Sequence, residues 1–563
     1  MTRRSSILLL PLVLAFTPVL PAAGAAAPGC DLHVGEITLV VTDIYGQEEL
    51  DSAGGVLRFV RGAMNTAHTG TRHHIIRREL LFRTGERLET EQLRETERNL
   101  RGLGYLTNVS VVPLDTLPDG AVPLEVRVQE TWSLSTHTSY SRSSVGDRWS
   151  VSAADNNLLG YGVKLEMGLG EDEDRSFQRF TFANRRLLRS DFFLHASYAD
   201  LSDGYLKSLT LARPFYSDDE NWSLEAVAWD RSFKPRFYLS QGGPVGDGGE
   251  ARLYASLPLR EEGYSFTVTR RIGPVGRGRI WRLGAGLFAR DRYYELPDLI
   301  GLSDGRSVSR ELLIEDACPA ICRETGRLMQ PALVLESRGR RWTTERFVQC
   351  YGATEDLFLD PWLRLVSGPT LVGLGSDRER FLFEGSIRDW SRLGGGLLYA
   401  EAKALGSLGS PRNRFLSLDA TVAWLMHPGP NEVSRLVIEA ARGSDLEGTD
   451  AFVLGLKRGM RTVEYDGMAG DRLLRWNAEH AYILPRELLG FYRLGLAAFY
   501  AGGTAWWSDE ARGLEGVRHE AGFGLRVGPT RSARTEPARL DLAWPLNDGG
   551  GGPKLTAITS GFF

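Results

Sequence analysis

The sequence lacks the features that mark helical membrane proteins and nucleic-acid-binding proteins. After residue 30 it has no apolar run long enough for a membrane-spanning helix. Its 67 basic and 71 acidic residues leave no positive excess, whereas phosphate binding needs a concentrated positive face. The mean hydropathy of -0.21 fits a soluble protein, but it also fits a membrane barrel, in which only every second strand residue faces lipid. We therefore expect no nucleic-acid partner.

Catalytic motifs are also missing. His519-Glu520 has no second histidine at helical spacing, so it is not a zinc protease motif. The glycines between Gly160 and Gly170 flank a strand rather than open a helix, which argues against a phosphate loop. No serine stands in a nucleophile elbow. We expect no enzyme, no catalytic residue, no bound metal and no cofactor.

The N-terminus has the layout of a secretory signal peptide. Arg3 and Arg4 supply positive charge, residues 7–20 are nearly all apolar, and residues 22–26 are small enough for a signal peptidase. A transmembrane anchor is one alternative, but the apolar run is short and is broken by proline. A lipoprotein is another, but the residues before Cys30 make a poor lipobox. We expect residues 1–26 to be a signal peptide and the rest of the chain to be exported.

Residues 30–130 read as a small domain of strands and helices. Residues 37–41 predict a first strand, and a polar, glycine-containing segment follows at about 46–69. Helices are predicted over 71–82 and from about 91 to 103, where glycines end the second one. Two strands follow, and residues 122–128 alternate between apolar and polar side chains. The predicted order is strand, helix, helix, strand, strand.

This order and two of its stretches resemble a POTRA (polypeptide-transport-associated) domain. Ile75-Ile-Arg-Arg-Glu-Leu-Leu-Phe-Arg-Thr-Gly85 is similar to its first helix and turn. Glu97-Arg-Asn-Leu-Arg-Gly-Leu-Gly-Tyr-Leu-Thr-Asn-Val109 is similar to its second helix and the next strand. The segment at about 46–69 is an insertion relative to that family. The resemblance implies a periplasmic domain ahead of a BamA/TamA-type outer-membrane barrel.

A three-stranded sheet of this kind has exposed edges with unpaired backbone groups. Another extended chain can add to such an edge, so a client-binding role is one hypothesis for the domain. A spacer that only tethers the barrel is the alternative. We interpret the basic side chains around the first helix, which include Arg72 and Arg78, as a solvated face.

Residues 131–563 read as a transmembrane antiparallel β-barrel. Short alternating segments recur between turn residues, as in 416–424 and 539–544. Tryptophan and tyrosine fall at many segment ends, as aromatic girdles would. Closure into a barrel is what allows strands to satisfy their backbone groups in lipid. The final residue, Phe563, is similar to the terminal aromatic residue of barrels that are assembled into the outer membrane.

Several stretches of this region resemble the BamA/TamA superfamily. They are Asp155-Asn-Asn-Leu-Leu-Gly160, Arg213-Pro-Phe-Tyr-Ser217, Gly470-Asp471, Asn477-Ala-Glu479, Gly522-Phe-Gly-Leu-Arg526 and Arg539-Leu-Asp-Leu-Ala-Trp-Pro545. Residues 232–412 show little of it. The resemblance implies about 16 strands, with eleven before a sixth loop and five after residue 470. More than eleven candidate strands precede that loop, so either hairpins that project beyond the membrane or a larger barrel stays open.

The superfamily also implies site residues. Its sixth loop carries an Arg-Gly-aromatic tip that docks on the inner wall, and the matching stretch here lacks the glycine and departs from that wording. Arg461 and Tyr465 are the candidates for the tip, and Asp471 and Glu479 are the candidate carboxylate partners in the lumen. A weakly closed lateral seam between first and last strands is expected near Trp132 and Phe563.

The four cysteines are Cys30, Cys318, Cys322 and Cys350. In an oxidising compartment they favour a disulfide within the set Cys318, Cys322 and Cys350, with its pairing open. The spacing Cys318-Pro-Ala-Ile-Cys322 leaves zinc as an alternative, although no histidine is nearby. Because long barrel loops are usually extracellular, we expect these three residues to face outside.

The leading hypothesis is an outer-membrane assembly or transport factor. Its N-terminal domain would lie in the periplasm and receive unfolded outer-membrane or secreted client proteins, and the barrel would insert or translocate them. Outer-membrane lipids and periplasmic chaperones or accessory proteins are the other expected partners. Two alternatives stay open: a passive outer-membrane pore or surface receptor with the domain as a tether, and a soluble secreted β protein.

Overall fold

The computed structural model describes most of the chain from residue 32 onward. The described residues are 32–143, 146–238, 254–274, 278–303, 305–311, 313, 321, 325–409, 414–446, 450–463, 467–508, 513–532, 536–547 and 552–559. The expected signal peptide lies outside them. So do Cys30, Cys318, Cys322, Tyr465 and Phe563. No helix in this part of the chain is long and apolar enough to cross a membrane.

The N-terminal domain is a three-stranded sheet covered by helices. Strands β1 (His33–Thr42), β2 (Leu106–Pro113) and β3 (Ala121–Glu130) lie in the order β1-β3-β2, with β3 parallel to β1 and antiparallel to β2. The alternating apolar residues of β3 face the helices. Val122, Leu124, Val126 and Val128 are all buried in one core with Ile76 and Leu100. The predicted order of strand, helix, helix, strand and strand is therefore observed, except that two further helices follow β1.

The insertion forms two helices of its own, α1 (Gln47–Asp51) and α2 (Gly55–Ala67). Helix α3 (His73–Arg77) is shorter than the predicted 71–82, whereas α4 (Thr90–Gly102) matches its prediction closely. Just after α3, Glu79 binds two arginines of the barrel, Arg185 and Arg186.

In the described residues, twenty antiparallel strands close into a barrel. They are β4 (Leu134–Ser143), β5 (Gly146–Asp155), β6 (Val163–Glu171), β7 (Ser176–Asn184), β8 (Phe193–Leu201), β9 (Gly204–Arg213), β10 (Trp222–Phe233), β11 (Leu259–Ile272), β12 (Ile280–Tyr294), β13 (Gly326–Arg338), β14 (Trp362–Thr370), β15 (Arg380–Leu393), β16 (Gly396–Leu408), β17 (Phe415–Met426), β18 (Glu432–Ser444), β19 (Arg472–Leu488), β20 (Tyr492–Trp506), β21 (Arg518–Pro529), β22 (Ala538–Pro545) and β23 (Lys554–Thr559).

The prediction of about 16 strands is therefore wrong, and both options that the sequence left open occur. Fifteen wall strands, not eleven, precede the connection 445–471, and five follow it. Other short strands form hairpins outside the wall. These are Arg236–Tyr238 with Tyr254–Ser256, Leu299–Gly301 with Ser307–Ser309, Trp342–Glu345 with Glu355–Phe358, and Phe452–Leu454 with Met468–Gly470. Hairpin and wall strands share the same local alternation, which is why the sequence count was ambiguous.

The wall shows the expected two faces. On β17, Leu418 and Val422 are exposed on the outer surface, and on β22 Leu540 is exposed in the same way. Inward positions carry charged side chains, such as Glu439 of β18 and Asp541 of β22. A barrel with an apolar outside and a polar inside is the arrangement that a lipid surround requires.

The two ends of the barrel differ. The domain end is the one whose turns contact the N-terminal domain, at 156–162, 185–192, 214–221, 339–361, 489–491 and 530–532. The far end is the opposite one. Cys350 lies on the 339–361 connection at the domain end, and strand β13 separates it from the 295–325 connection at the far end. Cys318 and Cys322 lie outside the described residues, so the expectation that Cys350 shares a side with them stays a prediction.

Candidate functional site

A buried arginine projects into the lumen from the connection between β18 and β19. Arg461 Nε lies 2.7 Å from Asp541 Oδ2 on β22, and its Nη1 lies 3.1 Å from Glu520 Oε1 on β21. Its guanidinium group stacks 3.7 Å from the ring centre of Phe499 on β20. One side chain of the connection thus contacts three successive strands of the wall.

The residue after Arg461 extends this anchor to the last strand. Glu520 Oε2 accepts hydrogen bonds from the Thr462 backbone N–H at 2.8 Å and from its hydroxyl at 2.9 Å. Lys554 of β23 donates to the Thr462 carbonyl at 2.6 Å. The flanking Met460 and Val463 are buried in an apolar cluster. Charged and apolar contacts together hold this segment on strands β20–β23.

Behind Arg461 lies a second layer of buried charge. Arg526 is fully buried and binds Glu479 Oε2 at 2.7 Å, and it also binds Asp541. Arg539 and Arg435 lie 3.2 Å and 3.7 Å from the same Glu479 carboxylate. Buried charges of this kind persist only when each has partners, since an unpaired one is strongly destabilising. The cluster is therefore a core of paired charges inside the barrel.

The ladder that closes the barrel is short. Within the described residues, β23 pairs with β4 through three residue pairs, Thr556 with Ser141, Ala557 with Tyr140 and Ile558 with Ser139. Every other pair of neighbouring wall strands shares at least five, and β11 with β12 shares fourteen. Trp132 lies before β4, where its backbone N–H donates to the Arg531 carbonyl. It is thus beside the β21–β22 turn and not in the closing ladder.

The N-terminal domain is seated on the domain end through buried polar contacts. Glu130 Oε1 accepts from the Thr71 backbone N–H at 2.7 Å, and the Thr71 hydroxyl accepts from Asn157 of the first turn at 2.8 Å. Arg72 covers the ring of Tyr161, 3.9 Å from its centre. Two of the basic residues interpreted as solvated therefore face the barrel, because Arg78 also donates to the carbonyls of Arg186 and Ser190.

Helix α4 contacts two further parts of the domain end. Glu95 Oε1 accepts from the Asp218 backbone N–H at 2.7 Å, and burial raises the pKa of the Glu95 carboxyl. Arg101 binds Asp356 of the 339–361 connection with two hydrogen bonds, at 3.0 Å and 2.8 Å. Near the insertion, the Tyr45 hydroxyl donates to the Gly490 carbonyl at 2.7 Å, and burial raises its pKa to about 12.

Residues 67–131 match the family model described as POTRA, "Surface antigen variable number repeat". Over these residues the N-terminal domain is similar to a POTRA domain, and it is called the POTRA domain below. The match covers α3, α4, β2 and β3 and leaves β1 and the inserted helices outside it. The expected resemblance to a POTRA domain is confirmed for residues 67–131, and a closed antiparallel barrel follows them in the chain.

Solved structures with a similar course include BamA from Haemophilus ducreyi lacking POTRA domains 1-3, at 14% identity and a TM-score of 0.37, covering 95% of this chain and 85% of that one. CdiB from Acinetobacter baumannii has 11% identity and a TM-score of 0.41, with 95% and 90% covered. CdiB from Escherichia coli has 11% identity and a TM-score of 0.43, with 96% and 92% covered. No curated protein sequence matches the chain.

The candidate residues from the sequence fall into separate places. Arg461 and Glu479 lie in the lumenal cluster, joined through Asp541 and Arg526, whereas Asp471 binds Arg472 at 3.1 Å and Ser508 at 2.8 Å. Sequence reasoning missed Glu520 and Asp541. The available signal was a carboxylate at an inward position of a predicted wall strand, because such a charge needs a partner in the lumen. In the part of the chain that the structure describes, no group of three or more metal-ligating side chains is placed to hold a metal ion.

Proposed function

We propose that the protein is an outer-membrane factor that assists the insertion or translocation of unfolded client proteins, with its POTRA domain in the periplasm. The observation that carries the proposal is the closing ladder between β4 and β23, which has three residue pairs in the described part of the chain, together with the POTRA domain that precedes β4. The signal peptide at 1–26, the domain at 30–130 and the barrel at 131–563 belong to the same proposal.

The closing ladder is a place where a client strand can pair. Among the described residues, separating the three pairs of this ladder exposes far fewer backbone groups than separating the ten pairs of β4 and β5. An unpaired strand edge is a template for another extended chain. The opening would therefore lie between β4 and β23.

The two sides of this seam are supported differently. On the C-terminal side, the Arg461 segment binds β21, β22 and, through Lys554, β23. These contacts hold the last strand in place when the seam opens. Strand β4 would then be the side that moves, next to the POTRA domain that precedes it.

The POTRA domain offers a groove for an incoming chain. Its edge strand β2 lines a groove of about 1050 Å³ with Asn108 and Val109, and the opposite side is formed by Trp342 and Thr344. Within the described residues, β2 pairs with β3 alone. Helix α4 caps part of its other edge, since Glu97 accepts from the Val111 N–H and Arg101 donates to the Val109 carbonyl. An extended client would pair along the rest of that edge. Outer-membrane lipids and periplasmic chaperones would complete the set of partners.

A disulfide across the seam tests this mechanism. We would replace Ser139 and Ile558, a facing pair of the closing ladder, by cysteines. A deletion strain carrying this variant should lose specific outer-membrane or secreted proteins, and a reductant should restore them. The matched control is S197C with S208C, a facing pair of the longer β8–β9 ladder, which should behave as wild type with or without reductant.

Quantitative mass spectrometry of the outer-membrane and secreted fractions is the measurement. A crosslinked seam variant that still supports the wild-type protein set would refute the seam mechanism. A deletion strain whose two fractions match the parent would refute the proposed function as a whole. Protease accessibility of the POTRA domain in intact and permeabilised cells tests its periplasmic side.

A further inference from the structure

The connection 339–361 at the domain end folds into the barrel instead of away from it. Its hairpin, Trp342–Glu345 with Glu355–Phe358, carries a tip that enters the lumen. Val348 and Tyr351 of this tip are buried against side chains of wall strands. Those side chains are Leu397 of β16, Leu425 of β17, Val433 of β18 and Ile483 of β19. The tip leaves the wall between β13 and β14 and reaches strands on another side of the barrel.

Hydrogen bonds from side chains to its backbone hold the tip. The Glu355 carboxylate accepts from the N–H groups of Val348, Gln349 and Cys350 at 3.1, 2.9 and 3.0 Å. From the wall, Arg435 donates to the Phe347 carbonyl at 2.6 Å. The tip is therefore an ordered part of the lumen.

The wall is shaped to receive the tip. Gly528 of β21 faces Tyr351, and a Cβ at this glycine would lie 2.7 Å from Tyr351 Cδ2. Gly495 of β20 leaves room for the hydroxyl, because a Cβ there would lie 3.2 Å from that oxygen. Two adjacent strands thus lack side chains where the ring packs.

Helix α4 of the POTRA domain holds the base of the same hairpin. Arg101 is almost fully buried and makes its two hydrogen bonds to Asp356 there. One turn earlier, the Arg98 guanidinium group stacks 4.8 Å from the ring centre of Trp342 and 5.6 Å from that of Phe358. A displacement of the domain would therefore pull on the hairpin or release it.

We propose that residues 346–354 are a plug that closes the domain end of the lumen, and that α4 latches this plug through Arg101 and Asp356. Moving the POTRA domain removes the bidentate partner of Asp356 and frees the hairpin. The proposal goes beyond client handling, because it concerns the passage of ions and small solutes through the barrel.

The test uses the purified full-length protein in planar lipid bilayers with potassium chloride as the probe. Wild-type protein should be closed, with brief openings. R101E places two carboxylates together and should raise the open probability about tenfold or more. R101E combined with D356R restores an ion pair and should return the open probability to the wild-type level. The matched control is R94E on the exposed face of the same helix, where Arg94 pairs with Glu91, and it should leave the channel closed.

A second variant tests the plug without the latch. Replacing residues 346–354 by a short Gly-Ser linker should give a stable open conductance, provided that the sample keeps its heat-modifiable migration. A wild-type protein that is already fully open overturns the plug, as does a linker variant that stays closed. An R101E variant that stays closed while the linker variant opens overturns the latch.

Discussion

Arg461 and Asp541 stand 80 residues apart in the sequence, and yet Arg461 Nε lies 2.7 Å from Asp541 Oδ2 inside the barrel. This pair joins a far-end connection to the second-last strand. The contact attaches the connection between β18 and β19 to the inner side of the wall. Because the pair is buried, removing it should lower the stability more than removing a surface ion pair would.

Replacing Arg461 by alanine should therefore destabilise the anchored segment. The variant removes a buried cation that pairs with Glu520 and Asp541. We expect the stability of the anchored segment to fall by about 3–5 kcal/mol. Protease cleavage within 450–463 and the temperature of the gel-mobility shift are the measurements. Arg458, which is more exposed and pairs with Glu439, is the control, and R458A should cost about 1 kcal/mol or less. Equal effects of the two variants would contradict the buried anchor.

The carboxylates that partner Arg461 can be separated from one that is only nearby in sequence. D541N should release the segment to protease, because Asp541 contacts both Arg461 and Arg526. D471N should not, because Asp471 binds Arg472 and Ser508 at the far end. A D471N variant with the stronger protease sensitivity would show that the sequence-based choice of partner was right.

Gly160 should be needed for docking of the POTRA domain. Its φ is +75°, and a Cβ there would overlap the Gly70 carbonyl oxygen and lie 3.3 Å from the Gly70 carbonyl carbon. G160A should therefore expose 70–72 to hydrogen exchange. Gly273 has a similar φ of +89° with open space around it, so G273A carries the same backbone strain without the clash. If both variants behave alike, backbone strain and not the clash is the cause.

Docking of α4 should depend on pH through Glu95. Burial raises the pKa of this carboxyl above its ordinary value of 4.5 in spite of Arg98 and Arg338 nearby. Since the docked state holds its proton more tightly, docking is most favourable below pH 4.5. Docking weakens as the pH rises through the raised pKa of Glu95. Above that pKa, docking does not weaken further.

The measurement is the unfolding temperature of the domain in the full-length protein between pH 4 and 7. E95Q should lose this part of the pH dependence, because glutamine does not titrate. Glu91 is half exposed on the same helix, and E91Q is the matched control. Wild type and E95Q with identical pH profiles would refute the role of Glu95.

Local patterns predicted much of the fold. The alternation at 122–128 and at 416–424 depends on which neighbouring residues face a core or lipid, and both segments are strands with the expected faces. The POTRA stretches at 75–85 and 97–109 likewise identified a domain whose helices and strands the structure contains. These features arise from interactions within a few residues, and so they can be read from the chain alone.

Register, strand number and partner choice could not be read in this way. A hairpin beyond the wall and a strand within it have the same two-residue period. Alternation alone therefore could not show that fifteen wall strands, and not eleven, precede the connection 445–471. The inward position of Glu520 follows from the alternation of side chains along β21. That it meets Arg461 depends on how a connection folds back into the lumen. The inward course of 339–361 is likewise decided by side chains that the closed barrel brings together from β16 to β21, because contacts between distant strands exist only after closure.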